Sequence, residues 1–194
     1  MNSLYPIFLK AENLRFLIVG GGNVGLEKLE SLIKNSPGAN ITMVAPQIKD
    51  EIKNLCENHN LSLIFEKYHP NFLEGKDLVI VGTDDKNVNL QVQKDCKSAG
   101  ILVNVADTPD LCDFYLSSVV TKGDLKIAIS TNGKSPTFAK RIREMLEEIL
   151  PENIQEILDN LQSIRNKLKG DFEYKVKKMN EITGAFKKSE GIED

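Results

Sequence analysis

The chain has 194 residues, 41% hydrophobic and 27% charged, with a formal net charge of -3. That length allows one full domain and a smaller appendage, and the slightly acidic balance argues against a non-specific nucleic-acid binder, which needs a basic footprint. No run of ~18 apolar residues is present to span a bilayer, and Met1 to Lys10 lack the layout of a signal peptide.

Arg15–Val19 is a short apolar run closed by glycine, as in a strand buried on both faces. Val24 to Lys34 spaces its apolar residues as a helix packed on a sheet does, and Asn35-Ser36-Pro37-Gly38 stops it. Asn40–Val44 predicts a second strand, Ile48 to Asn58 an amphipathic helix and Leu61 to Phe65 a third strand. Asp77–Val81 predicts a fourth strand ending at Gly82, Asn87 to Ala99 a helix closed by Gly100, and Ile101–Val105 a fifth strand. Strands alternating with helices predict an α/β fold with a parallel, doubly wound sheet of the Rossmann type.

After Asp107 the rhythm changes. Phe114 to Val120 and Leu125 to Ser130 read as a hairpin, and Ser135-Pro136 opens a helix reaching Leu150, whose apolar face is Phe138, Ile142, Leu146 and Ile149. Glu152 to about Lys188 is helix-prone, and Ser189 to Asp194 are expected to fray. The expected organisation is a dinucleotide-binding domain over 1–113, a small α+β segment over 114–150 and a helical region over 151–194.

Chemistry enters at Gly20-x-Gly22-x-x-Gly25, which directly follows a predicted strand and opens a predicted helix. The first glycine permits the tight turn, the second lets the backbone approach a pyrophosphate, and the third lets helix and strand pack closely. The helix start offers free N–H groups and its positive dipole end to phosphates. A carboxylate about 20 residues on, which would hold the ribose of NAD, is missing. Val44-Ala45-Pro46-Gln47 stands there instead, so backbone groups or Gln47 must serve. With no arginine following to take a 2′-phosphate, NAD is expected over NADP. Cys56, Cys96 and Cys112 are scattered without a CxxC pair, and His59 and His69 are the only histidines. A reduced, cytoplasmic protein without a metal site is therefore expected.

Six segments in order carry a family likeness: Leu4-Tyr5-Pro6-Ile7-Phe8; Val19-Gly20-Gly21-Gly22-Asn23-Val24; Val44-Ala45-Pro46; Gly82-Thr83-Asp84-Asp85 with Val88-Asn89; Val103-Asn104-Val105-Ala106-Asp107; and Ser130-Thr131-Asn132-Gly133-Lys134-Ser135-Pro136. By these the chain resembles the siroheme synthase family, whose members are precorrin-2 dehydrogenases and in some cases also sirohydrochlorin ferrochelatases. The resemblance implies NAD-dependent oxidation of precorrin-2 to sirohydrochlorin and a homodimer built largely by the segment after Asp107. It implies a functional role for Asp107 and dinucleotide contacts at Asn23, Val24, Pro46 and Gln47, with Thr83 facing the same crevice. Thr131 stands where the family has a serine. The methyltransferase domain of some relatives is absent, so no methylation is expected.

Asp107 follows the fifth strand at its carboxyl end, where an aspartate can act as general base. Asp107-Thr108-Pro109 also reads as an Asx turn that only shapes the chain's exit from the sheet. Lys134, Lys140, Arg141 and Arg143 gather near the start of the helix opened by Pro136, as a cradle for a polycarboxylate or as a solvated face. The alternatives are a bifunctional dehydrogenase and ferrochelatase, or a non-catalytic NAD-binding regulatory dimer.

Overall fold

A computed structural model describes residues 4–184. Strands β1 (Arg15–Val19), β2 (Asn40–Val44), β3 (Leu61–Ile64), β4 (Leu78–Val81) and β5 (Leu102–Val105) form one parallel sheet in the order β3-β2-β1-β4-β5. Helices α1 (Asn23–Asn35), α2 (Asp50–Leu55) and α3 (Lys86–Ala99) provide the crossovers. The expected doubly wound sheet is therefore present, and its order reverses between β1 and β4, where such sheets open a ligand crevice.

The strands are continuously apolar because both faces are covered. Phe16, Ile18, Ile41, Met43 and Ile80 point to the face carrying Leu29 and Ile33 of α1 and Ile52 of α2. Leu17, Val19, Val44, Val79, Val81, Val103 and Val105 point to the face carrying Val92 and Cys96 of α3. Burial of each such side chain is worth about 1.5–3 kcal/mol, so this two-sided core fixes the strand ends that bear the site.

At the sheet edge where strands begin, the backbone N–H, Nε and Nη2 of Arg15 all donate to the Asp77 carboxylate, at 2.8, 3.0 and 3.1 Å. The side-chain bonds first, then the backbone bond, hold the Asp77 pKa down to about 2. A carboxylate whose folded pKa lies below its unfolded value of ~3.9 stabilises the fold above that value. The contribution is lost as pH falls through about 2. Asp77→Asn is therefore expected to lower the melting temperature at neutral pH and to flatten the acid limb between pH ~4 and about 2, read by thermal melts across that range.

The helix expected over Ile48 to Asn58 is shorter, Asp50–Leu55. Ile48 is buried at the exit of β2, and the N–H of Lys49 goes to Gly21 O at 3.1 Å, so the chain is still extended there. The hairpin strand expected from Phe114 begins only at Ser118, with β6 (Ser118–Lys122) and β7 (Leu125–Ile129) forming a separate two-stranded sheet. Asp113 N–H reaches Val103 O at 2.8 Å, and Asn104 Nδ2 donates to Phe114 O at 2.8 Å. Residues 113–114 are thus pinned against β5 and unavailable to the hairpin.

Helix α4 (Pro136–Ile149) starts as expected and ends one residue early, and only the middle of its apolar face is covered: Ile142 and Leu146 are half-buried, while Phe138 and Ile149 are 58% and 66% exposed. The helix-prone region is split into α5 (Ile154–Lys167) and α6 (Phe172–Thr183), where Leu168 ends α5 and Asp171 caps α6 by accepting from Tyr174 N–H at 2.8 Å. The expected helix end near Lys188 and the frayed Ser189–Asp194 lie outside the described residues. The chain divides into two compact units, one running through Ser118 and including Ile129–Lys140, the other made of Val119–Ala128 and the residues from Arg141 onward. In the second, Lys122 Nζ donates to Leu150 O at 2.8 Å and pairs with Glu152 at 2.6 Å. Among the described residues no helix is long and apolar enough to cross a membrane.

Candidate dinucleotide site

Because the five strands are parallel, every site residue expected from the sequence follows a strand's carboxyl end and lies along one edge of the sheet. Gly20, Gly22, Asn23, Val24 and Gly25 follow β1; Pro46 and Gln47 follow β2; Thr83 follows β4; Asp107 follows β5. Asp107 is thus two strands from β1, about 10 Å at ordinary strand spacing.

The glycines of the turn have separate duties. Gly20 has φ 118°, a region open to glycine and closed to L side chains. A Cβ on Gly20 would lie 2.5 Å from Gly82 O, one on Gly82 would lie 3.0 Å from Gly25 N, and one on Gly25 would strike Gly20 O. Gly20, Gly25 and Gly82 therefore form one close backbone junction between β1, α1 and β4. Gly21 packs on the Gln47 carbonyl and on Ile48. Gly22 differs, since a Cβ there meets nothing within 4 Å. It is the N-cap of α1 and offers no side-chain cap. By contrast, Asp85 caps α3, accepting from the N–H groups of Asn87 and Val88 at 2.8 and 3.3 Å. The start of α1 is thus bare and open where the start of α3 is closed. Its first-turn N–H groups have no intrahelical acceptors, and Gly22, Asn23 and Val24 fit a pyrophosphate of a nicotinamide dinucleotide. The Val24 side chain packs on Gly82, so Val24 can serve only through its backbone.

Pro46 and Gln47 are exposed at the tip of β2. Lys49 adds a cation that the glycine pattern does not contain: its Nζ donates to Asn23 Oδ1 at 2.8 Å and pairs with Glu51 at 3.1 Å. Thr83 is half-buried, its hydroxyl donating to Asn89 Oδ1 at 2.6 Å while Asn89 Nδ2 returns a bond to Thr83 O at 3.1 Å. That proton is held by a buried asparagine, leaving the Thr83 loop rigid and its hydroxyl oriented away from free use.

Asp107 is exposed and has φ 56°, a left-handed conformation that costs a non-glycine residue about 1–2 kcal/mol. Among the described residues its carboxylate has no hydrogen-bond or ion-pair partner, so no Asx turn is formed. The loop is shaped by others: Thr108 N–H donates to Val105 O at 3.3 Å and Thr108 Oγ1 to Ala106 O at 3.2 Å. Cys112 Sγ accepts from Val105 N–H at 3.2 Å and faces Val105 O and Thr108 O at 3.1 and 3.4 Å, clamping the loop on both sides of Asp107. Burial pushes the Cys112 thiol pKa up, keeping it a neutral donor. Cys112→Ala is expected to cost about 1–3 kcal/mol of stability by leaving these groups unpaired, and Cys112→Ser less, as urea unfolding will read.

The Ser130–Ser135 loop satisfies itself. Thr131 Oγ1 accepts from Ser135 N–H at 3.1 Å, and Ser135 Oγ accepts from Phe138 N–H at 3.2 Å, capping α4. Arg141 pairs with Glu144 at 2.7 Å and Arg143 with Glu147, so these two arginines are engaged along their own helix. Among the described residues no three His, Cys, Asp or Glu side chains gather as a metal site.

Comparison with known proteins places these features. The family model described as putative NAD(P)-binding matches residues 7–118, and that described as sirohaem biosynthesis protein central matches residues 122–149. A siroheme synthase of Psychrobacter sp. (strain PRwf-1) is 41% identical over 165 residues, covering 85% of this chain and 34% of the relative. That of Psychrobacter cryohalolentis is 38% identical over 172 residues, covering 89% and 32%. The chain thus spans about a third of the length of these curated relatives. A solved structure of SirC, precorrin-2 dehydrogenase, superposes with TM-score 0.71 at 27% identity over 92% of this chain and 89% of that one.

Proposed function

Since the chain belongs to the family described as putative NAD(P)-binding, in the form joined to the central segment of sirohaem biosynthesis proteins, we propose that it is an NAD-dependent dehydrogenase that oxidises precorrin-2 to sirohydrochlorin. The observation that carries this reading is Asp107, held left-handed and exposed at the carboxyl end of β5 without a partner among the described residues. Backbone strain retained at such a place supports a functional role for Asp107.

NAD is the cofactor, and when bound it supplies the hydride acceptor. Gly22, Asn23 and Val24 would hold the pyrophosphate through backbone N–H groups at the bare start of α1, and Pro46 and Gln47 would flank the adenosine ribose beside β2. Thr83 and Asp107, at the carboxyl ends of β4 and β5, would face the half of the cofactor that accepts the hydride. Oxidising the macrocycle removes a hydride from one carbon and a proton from a neighbouring position. Asp107 takes the proton on a carboxylate oxygen.

The unit from Arg141 onward leaves Ile149 and Phe172 66% and 74% exposed, beside a two-stranded sheet that is marginal alone. We read residues 114–150 as a dimer-forming segment whose apolar face a second copy covers, followed by helices α5 and α6. Light scattering at micromolar concentration is expected to give twice the monomer mass.

The test of the activity is to mix purified chain with precorrin-2 and NAD without metal and to follow NADH and the macrocycle spectrum together. Stoichiometric NADH and sirohydrochlorin are expected, and NAD binding without turnover would instead leave a regulatory dinucleotide binder. Fe2+ or Co2+ added afterwards reads chelation separately.

A further inference from the structure

We propose that Lys49 is a phosphate-binding side chain of the dinucleotide site, its ammonium taking an anionic oxygen of the cofactor at the start of α1. The inference rests on the dinucleotide reading above and names a residue that the glycine pattern does not supply. The turn Gly20-Gly21-Gly22-Asn23-Val24-Gly25 contains no cation, so its own positive potential is that of a helix end, roughly half an elementary charge. A dinucleotide brings at least two phosphate charges to it.

Lys49 stands one hydrogen bond away. Its backbone N–H is fixed on Gly21 O at 3.1 Å, and its Nζ is held on Asn23 Oδ1 at 2.8 Å, so both ends of the residue are fastened to the turn itself. An ammonium has three donors. One goes to Asn23, and Glu51, whose side chain is 59% exposed, pairs with the ammonium at 3.1 Å. That carboxylate already sits on the ammonium as an anion would, and being on the solvent side it can swing away. The residue also lies in the segment after β2, where a carboxylate would repel phosphate and where this chain has none before Lys49. The shared ligand chemistry is a phosphate oxygen, from the pyrophosphate of NAD or from the additional 2′-phosphate of NADP.

Calorimetric titration of NAD and of NADP, each at low and at high salt, distinguishes these sources. For the parent chain, Lys49→Met, Lys49→Arg and Glu51→Gln the readout is Kd, with melting temperature as the fold control. Lys49→Met is expected to weaken binding about tenfold or more at low salt, and much less at high salt because the lost interaction is screened. Lys49→Arg is expected to stay within about threefold of the parent, and Glu51→Gln to tighten binding. An equal loss for both dinucleotides assigns the pyrophosphate, and a loss confined to NADP assigns the 2′-phosphate. Binding by Lys49→Met within twofold of the parent overturns the inference, as does a loss that salt does not change, which would mark Lys49 as a strut for Asn23. If the parent binds neither dinucleotide, the dinucleotide reading itself fails and takes this inference with it.

Discussion

An Asp107→Ala chain is expected to bind NAD as the parent does while forming NADH from precorrin-2 at least about a hundredfold more slowly, the usual contribution of a positioned general base being 10²–10⁴. The split follows from where Asp107 lies: beyond β5, two strands from the glycine turn proposed to hold the phosphates. Asp107→Asn keeps the side chain's shape and removes its basicity, so it should be as slow. Asp107→Gly sharpens the test, because φ 56° suits glycine and penalises aspartate. That variant should gain up to about 1 kcal/mol of stability and be inactive. A residue that weakens the fold and is indispensable to turnover is a functional one. Turnover by Asp107→Asn within threefold of the parent would sink the assignment and return the loop to a structural role. Rates at saturating NAD, Kd by calorimetry and thermal melts supply the three readouts.

The sheet was legible in the sequence because its strands are buried on both faces and so read as short, unbroken apolar runs such as Phe16-Leu17-Ile18-Val19 closed by glycine. The turn was legible because glycine is the one residue that Gly20's φ and Gly25's contact with Gly20 O admit. What escaped were side chains whose role depends on distant partners. Lys49 reads as one charge in a charged helix until its bond to Asn23 is seen. Cys112 reads as a stray thiol until it is found around the Asp107 loop, and the bond that buries Asn89 on Thr83 is seen only in the fold. The α4 face failed for a different reason. Amphipathic periodicity says that a face will be covered but not by what, and Phe138 and Ile149 are left exposed by the described residues.

Two alanine substitutions three residues apart in the turn are expected to have opposite signatures. In Gly25→Ala the new methyl strikes the Gly20 carbonyl, which is itself wedged against Gly82. Both obstacles are backbone, so no side chain can rotate away and the junction of β1, α1 and β4 must open. A loss of about 1–3 kcal/mol or more is expected, with a lower urea midpoint, and NAD affinity falls with it because the helix start is displaced. In Gly22→Ala the methyl meets nothing within 4 Å, and Gly22 has φ -88°, a value alanine adopts freely. Its unfolding should match the parent's within about 0.5 kcal/mol. Its Kd for NAD should nonetheless rise tenfold or more, since on the proposed reading the methyl would stand between the phosphates and the bare N–H groups of α1. Urea unfolding and calorimetric titration of the two variants separate architecture from ligand contact at a single turn. A Gly25→Ala chain as stable as the parent would contradict the close junction, and a Gly22→Ala chain binding NAD as the parent does would remove the phosphates from this turn.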